Sequence, residues 1–253
     1  MTEGATVFHR TLVEALRPWA LSPSAEQVST LHSHFAAVIE ANRTMNLTRI
    51  TEPRDAAVKH YADSLALLHW AQAERVEITA ILDIGTGAGF PAVPVAVMRP
   101  DWRVTAIDGT RKKTAFLTRC AAELNLANLE VHHAHGRHWT TQRRFDVVAM
   151  RAVAALAVCI EQAERFLAPG GHLVVYKTAS VSEEERRQAG PVAAAAALTS
   201  SPACRPAGDF AYELSLGGKT LQRLLCVYRK SDRRAGKPVC SGKPVHRGKP
   251  SRR

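Results

Sequence analysis

A chain of 253 residues, 46% of them hydrophobic, can bury a full core, as one domain with an appendage or as two small domains. No stretch approaches the roughly 20 apolar residues of a membrane span, and the start Met1-Thr2-Glu3-Gly4 lacks the basic-then-apolar signature of a secretory signal, so a cytoplasmic protein without membrane attachment is expected. The net charge of +11 is concentrated at one end: from residue 230 onward nine Lys and Arg face Asp232 alone, a net +8, which leaves the preceding residues close to neutral for their length at +3.

Residues 6 to 72 contain no convincing strand. Their apolar positions recur at helical spacing, first Leu12, Leu16 and Trp19, then Val28, Leu31, Phe35, Val38 and Ile39, then Tyr61, Leu65 and Leu68. Ser24 and Glu26 fit one helix start, and Pro53 fits the first turn of another. Residues 1–75 therefore read as an N-terminal helical segment packed on a core. From residue 78 the pattern alternates: strand 78–84, helix about 90–98, strand 103–108, helix 112–125, strands 129–135 and 145–150, helix 155–167 and strand 171–177. This predicts a doubly wound, mostly parallel α/β sheet within residues 76–229. Pro169-Gly170-Gly171 is read as the turn into the fifth strand. A helix over 183–197 and strands over 209–216 and 220–229 follow, with Gly217-Gly218 predicting an antiparallel hairpin that brings the sheet to seven strands. The end repeats Gly-Lys-Pro at residues 236, 242 and 248. Such glycine and proline density without apolar periodicity predicts a disordered basic tail over 230–253, either a polyanion binder or a solvated terminus.

Two constellations could carry chemistry. Ile81-Leu82-Asp83-Ile84-Gly85-Thr86-Gly87-Ala88-Gly89-Phe90-Pro91 is an apolar strand breaking into a glycine-rich turn, followed by a second strand ending in Asp108. Gly85, Gly87 and Gly89 let the backbone turn sharply and approach a ligand closely, and the next helix points its open amides toward it. A dinucleotide site expects G-x-G-x-x-G, whereas G-x-G-x-G with an acid two residues before the first glycine is the pattern of S-adenosylmethionine-dependent methyltransferases. An S-adenosylmethionine site has no pyrophosphate to cradle, and Pro91 removes an amide that a pyrophosphate would want. An antiparallel hairpin at the edge of a parallel sheet points the same way. Asp83 either caps loop amides or meets the methionine amine, and Asp108 can accept from both ribose hydroxyls. Arg151, leaving the fourth strand at the ligand-binding edge, could hold a phosphate or the methionine carboxylate, or form a plain salt bridge.

The second constellation, His132, His133, His135 and His138, does not read as a metal site. Adjacent strand residues point to opposite faces, and no carboxylate or cysteine stands nearby in this reading. Cys120, Cys159, Cys204, Cys226 and Cys240 are scattered without a C-x-x-C pair, which argues for thiols rather than disulfides or zinc. Arg111, Lys112 and Lys113, opening the helix beside Asp108, are either phosphate contacts or a solvated helix face.

Several further motifs resemble one family in order. Asn46-Leu47-Thr48-Arg49-Ile50 is similar to its N-L-T motif, His60-Tyr61-Ala62-Asp63-Ser64-Leu65 to its H-x-x-D-S-L motif, Asp83 through Pro94 to its cofactor loop, Asp101 through Lys113 to its second strand and turn, and Phe145 to Ala152 to its F-D-x-x-x-x-R-A segment. The chain thus resembles, from about Asn46 to Lys177, the ribosomal RNA small-subunit methyltransferase G family, also called glucose-inhibited division protein B. The resemblance implies a class I fold and methyl transfer from S-adenosylmethionine to N7 of a guanine in the decoding-region loop of small-subunit rRNA. By position it assigns Gly85, Phe90, His138, Trp139 and Arg151 to the cofactor, and Asn46 and Arg49 to shaping the guanine pocket. The family has a small residue and an acid where this chain has His138 and Trp139; the indole could stack on the adenine ring. Arg111, Lys112, Lys113 and Lys177 are the expected RNA contacts. Such a reaction needs alignment rather than an essential general base. A monomer is expected. The competing readings are a methyltransferase acting on a protein or small molecule, and a non-catalytic RNA-binding or ribosome-assembly protein. Met150-Arg151-Ala152-Val153 lacks the N/D-P-P-Y/F motif of exocyclic-amine methyltransferases.

Overall fold

A computed structural model describes residues 2–152, 154–178, 181–196, 198–200 and 209–231; Cys204, Cys240 and the basic tail beyond residue 231 lie outside them. Helix α1, Glu3–Leu16, starts at Thr2, whose hydroxyl accepts from the Ala5 amide at 3.3 Å. Helix α2, Ala25–Met45, starts at Ser24 as its sequence predicts. The Ser24 hydroxyl accepts from the Gln27 amide at 3.1 Å and the Gln27 side-chain oxygen accepts from the Ser24 amide at 2.8 Å, so two otherwise orphaned donors are satisfied. The helix ends where Asn46 turns left-handed, at φ 51°. Pro53 opens α3, Pro53–Ala56, which continues through a π-helical stretch, Ala57–Ala62, into α4, Asp63–Ala73.

The remaining elements alternate: β1 Ala80–Ile84, α5 Ala92–Met98, β2 Arg103–Asp108, α6 Arg111–Glu123, β3 Leu129–His133, β4 Phe145–Arg151, α7 Leu156–Ala163, β5 Leu167–Thr178, α8 Glu183–Ala195, β6 Leu198–Ser200, β7 Asp209–Leu216 and β8 Lys219–Lys230. They build one sheet in the order β3-β2-β1-β4-β5-β8-β6, with β7 also paired to β8. Strands β1 to β5 run parallel and β8 antiparallel to β5. The seven predicted strands are therefore present, with an eighth. The 12-residue β8 outruns the 8-residue β7, whose pairing stops at Asp209 opposite Cys226; β6 covers Tyr228 to Lys230, which would otherwise be an open edge. A three-residue strand is too short to show alternation in sequence.

Two local expectations are corrected. Pro169-Gly170-Gly171 lies inside β5, where the register against β4 shifts, rather than before it. Only glycine fits at 171, because a Cβ there would stand 2.9 Å from the Phe145 carbonyl oxygen. The helix expected to reach residue 167 gives way at Glu164–Phe166 to a 3-10 turn. The β7–β8 hairpin is as predicted: its two-residue loop, Gly217 at φ 56° and Gly218 at φ 76°, is the turn whose twist matches paired strands.

Helices cover both faces of the sheet, which is why β1 is buried at every position rather than at alternate ones. On one face Phe8, Leu12, Leu31, Phe35, Tyr61 and Leu65 share an apolar cluster with Ile81, Val104, Val147 and Val174. The N-terminal helices thus pack directly on the sheet. On the other face Leu82, Ile84, Val148 and Met150 meet Leu156, Ile160 and Phe166. Cys120, Cys159 and Cys226 are buried thiols.

Candidate functional site

The carboxyl ends of β1, β2 and β4 converge on one edge of the sheet, where open α/β sheets bind ligands. The glycine turn is tied there by its own backbone: the Gly85 and Thr86 amides donate to the Ile107 carbonyl at 2.8 and 3.1 Å. Gly85, Gly87 and Gly89 all have positive φ, but for two different reasons. A Cβ on Gly89, at φ 102°, would stand 2.8 Å from both Leu117 and Val93, so this glycine lets α5 approach α6. A Cβ on Gly87, at φ 59°, would meet only the Gly85 carbonyl at 4.0 Å, so the space above it is open to a ligand.

Asp83 lies beneath the turn, 1% exposed. One carboxylate oxygen accepts from the Ala92 amide at 3.1 Å; the other is buried without a hydrogen-bond partner among the described residues. Burial pushes its pKa up to about 7, against the pull of Thr86, the Ala92 amide and Arg151. Both roles read from the sequence are therefore available, a loop cap on one oxygen and an open acceptor on the other. Asp108 ends β2 with one oxygen on the Gly87 amide, 3.0 Å, and the other on the Thr110 amide, 2.8 Å. A carboxylate offers about four lone-pair sites, so two remain.

Arg151 forms a largely buried ion pair. Its Nε and one terminal nitrogen lie 2.9 and 2.8 Å from Asp63, and that nitrogen also donates to the Lys59 carbonyl at 2.5 Å. The salt bridge that the sequence left open is thus present. Asp63 also accepts from the Tyr212 hydroxyl at 2.8 Å and lies 3.5 Å from Arg223, so one carboxylate joins α4, β4 and the terminal hairpin. The Arg151 guanidinium lies 5.9 Å from the Phe90 ring centre, and the His60 ring stacks on Phe90 at 4.6 Å with an 18° tilt. His60 Nε2 is 2.7 Å from the Thr48 hydroxyl, which joins the N-L-T segment to this cluster. Burial and the Arg151 charge push the His60 pKa down to about 3, and burial takes His34 down to about 4, so both rings are neutral at neutral pH.

Asn46 and Arg49 are exposed on that same segment. Arg111 and Lys112 are exposed and Lys113 half-buried at the start of α6, and none of the three makes an ion pair among the described residues. Lys177 is engaged internally, by Glu185 at 2.7 Å and the Ala154 carbonyl at 3.1 Å, leaving one of its three donors. His138 is exposed, whereas the half-buried Trp139 ring packs against Phe166 of the 3-10 turn at 5.4 Å and Phe145 of β4 at 6.4 Å, so one side of the indole is held by the apolar cluster on that face of the sheet. His132 and His133 point to opposite faces, His132 to Glu130 at 2.9 Å and His133 to the Gly109 carbonyl at 3.1 Å. Glu130 corrects the reading that no carboxylate stands near these rings: it is two residues back on the same strand face. No group of three or more metal-ligating side chains occurs among the described residues.

Sequence reasoning quoted His60 and Asp63 as motif letters but assigned them no role. A signal was present for Asp63, a carboxylate at the head of the largely apolar run Asp63–Ala73, where a buried charge needs a partner.

A family described as rRNA small subunit methyltransferase G matches residues 27–205. A protein of that name from Leuconostoc citreum is 31% identical over 176 residues, 68% of this chain and 74% of the relative. One from Thermosynechococcus vestitus is 39% identical over 161 residues, 61% and 70% of the two chains. Among solved structures, a candidate RNA methyltransferase from Pyrococcus horikoshii has the same fold, with TM-score 0.50 and 13% identity over 73% of this chain and 89% of the other. The chain belongs to the rRNA small subunit methyltransferase G family: it is a methyltransferase of small-subunit rRNA, with S-adenosylmethionine as its methyl donor.

Proposed function

We propose that the chain methylates N7 of a guanine in the decoding-region loop of small-subunit rRNA, and that Asp83, Gly85, Gly87, Gly89, Phe90 and Asp108 hold the donor. The observation that carries the donor site is the buried, partnerless oxygen of Asp83 under the open space at Gly87, which fits a cationic amino group beside a closely approaching ligand backbone. Asp108 takes the ribose on its remaining lone pairs. His138 lies on the adenine side; Trp139 contributes there through its backbone, its half-buried ring being turned against Phe166.

When bound, S-adenosylmethionine presents a sulfonium methyl to a lone pair, the new bond forming as the carbon–sulfur bond breaks, with no proton to remove from guanine N7. The chain's own residues match that demand for alignment without a base. His34, buried, and His60, half-buried, are weak bases with pKa values lowered to about 4 and about 3, and Arg151 is a fixed cation. Arg151, held by Asp63 and the Lys59 carbonyl, keeps its other terminal nitrogen for the donor carboxylate or an RNA phosphate. Asn46 and Arg49 border the base pocket from the N-terminal side, and Arg111, Lys112, Lys113 and the remaining donor of Lys177 face the RNA backbone. Orientation of this kind can supply roughly 7 to 11 kcal/mol of a barrier. The protein acts as a monomer in the cytoplasm; no helix among the described residues is long and apolar enough to cross a membrane.

The test is transfer of labelled methyl from S-adenosylmethionine to small ribosomal subunits that lack their native methylation, followed by mapping. Label at a guanine of the decoding-region loop is expected. Absence of label from RNA, with donor binding demonstrated, overturns the reading.

A further inference from the structure

An rRNA substrate is a long polyanion, and a base pocket grips only one of its nucleotides. The β7–β8 hairpin overshoots the edge of the sheet that carries the site. Arg223 lies opposite Thr178, the last residue of β5, so Lys219 to Gln222 and the Gly217-Gly218 turn stand beyond that edge, by about 13 Å at roughly 3.3 Å per residue. There the turn meets α1 and α3. Arg10, Thr11, Glu14 and Arg54, with residues 215–218, line a cavity of about 260 Å³.

Three features suit this cavity to a phosphodiester. Arg10 and Arg54 are both exposed, and neither guanidinium makes an ion pair or hydrogen bond among the described residues. Glu14, one helical turn on from Arg10, sets the charge of the three side chains at +1, which complements the single negative charge of a backbone phosphate. Gly217 and Gly218 place no side chain over the cavity, since nothing lies within 4 Å of where either Cβ would stand. The cavity is also coupled to the site by a short rigid path. Arg54 is five residues before Lys59 on the continuous helical segment, about 8 Å along its axis at roughly 1.5 Å per residue, and the Lys59 carbonyl receives Arg151.

We propose that this cavity is a phosphate dock for the substrate RNA strand, with Arg10 and Arg54 holding the backbone outside the base pocket. Guanidinium groups bind phosphate oxygens in a fork and fix register without reading sequence. The dock rests on the rRNA substrate and is independent of which guanine atom is methylated.

The experiment compares the full-length chain with Arg10→Gln/Arg54→Gln, using a fluorescein-labelled single-stranded RNA of roughly 12 nucleotides and anisotropy from about 50 to 300 mM KCl. Loss of two phosphate contacts lowers the slope of log K against log salt by about 1.4, and Arg54→Gln alone lowers it by about 0.7. S-adenosylmethionine affinity, measured by calorimetry on the same samples, stays unchanged, and KM for small subunits rises with kcat retained. Arg103→Gln, at the start of β2 on the opposite edge of the sheet, leaves the slope as it is. An unchanged slope in the double variant overturns the dock, as does an equal drop in Arg103→Gln. Because the slope is read without methyl transfer, failure of the proposed N7 chemistry would leave this result standing.

Discussion

Replacing Asp63 by alanine should destabilise the protein far more than removing any exposed acid. The Asp63 side chain is 7% exposed and receives Arg151 through two nitrogens, at 2.9 and 2.8 Å, and the Tyr212 hydroxyl at 2.8 Å. Its removal leaves an uncompensated cation in a largely buried setting, a loss of about 3 to 5 kcal/mol, to which the stranded Tyr212 hydroxyl contributes. At about 2 to 4 °C per kcal/mol for a chain of this size, Tm falls by about 6 to 20 °C. The internal standard is Asp55→Ala, which breaks the Lys59–Asp55 pair whose side chains are 30% and 37% exposed. That pair contributes no more than about 1 kcal/mol, or about 2 to 4 °C. Differential scanning calorimetry of the two variants and the parent decides the matter. If Asp63→Ala costs no more than Asp55→Ala, the carboxylate does not join α4, β4 and the hairpin energetically, and the reading of Arg151 as a positioned cation fails with it.

The two glycines of the turn separate stability from binding. Gly89→Ala, strained by φ 102° and by contacts of 2.8 Å, should lose about 2 to 4 kcal/mol in urea denaturation, whereas Gly87→Ala should lose only about 1 to 2 kcal/mol yet weaken donor binding at least tenfold by calorimetry. The raised pKa of Asp83 gives a signed pH dependence: the native state holds the proton that the unfolded chain has released between pH 4 and about 7, so apoprotein stability falls as pH rises through that window and levels above it. Affinity for S-adenosylhomocysteine should move the other way, tightening about tenfold per pH unit up to about 7, and Asp83→Asn should abolish that slope. Trp139→Ala should cost about 2 to 3 kcal/mol of stability while changing donor affinity less than threefold; a larger affinity loss with intact stability would return the indole to the adenine side.

The sheet was legible because its strands are apolar runs between glycine and proline punctuation, and the turn because three alternate glycines after an acid have few other uses. The motif letters also placed Asp83, Asp108 and Arg151 on one edge. What stayed hidden were partnerships across distance. Asp63 and Arg151 meet over 88 positions, and nothing in either local pattern marks the other as a partner. The π-helical stretch at Ala57–Ala62, which sets where His60 and Asp63 point, has no periodic signature of its own. Trp139 illustrates the converse: an aromatic residue at a ligand-binding position is read as a stacking surface, and the loop between β3 and β4 also turns the half-buried ring onto Phe145 and Phe166, where it buries apolar area. Lys177 likewise reads as a basic end of β5 until α8 brings Glu185 against it.

The central claim is that the site aligns a lone-pair nucleophile without removing a proton. The direct measurement is mass spectrometry of nucleosides digested from small-subunit rRNA after incubation with the protein and S-adenosylmethionine. The account predicts one 7-methylguanosine per subunit. A methyl group on an exocyclic amine, which must shed a proton that His34 and His60, with pKa values lowered to about 4 and about 3, are too weakly basic to take, would contradict it.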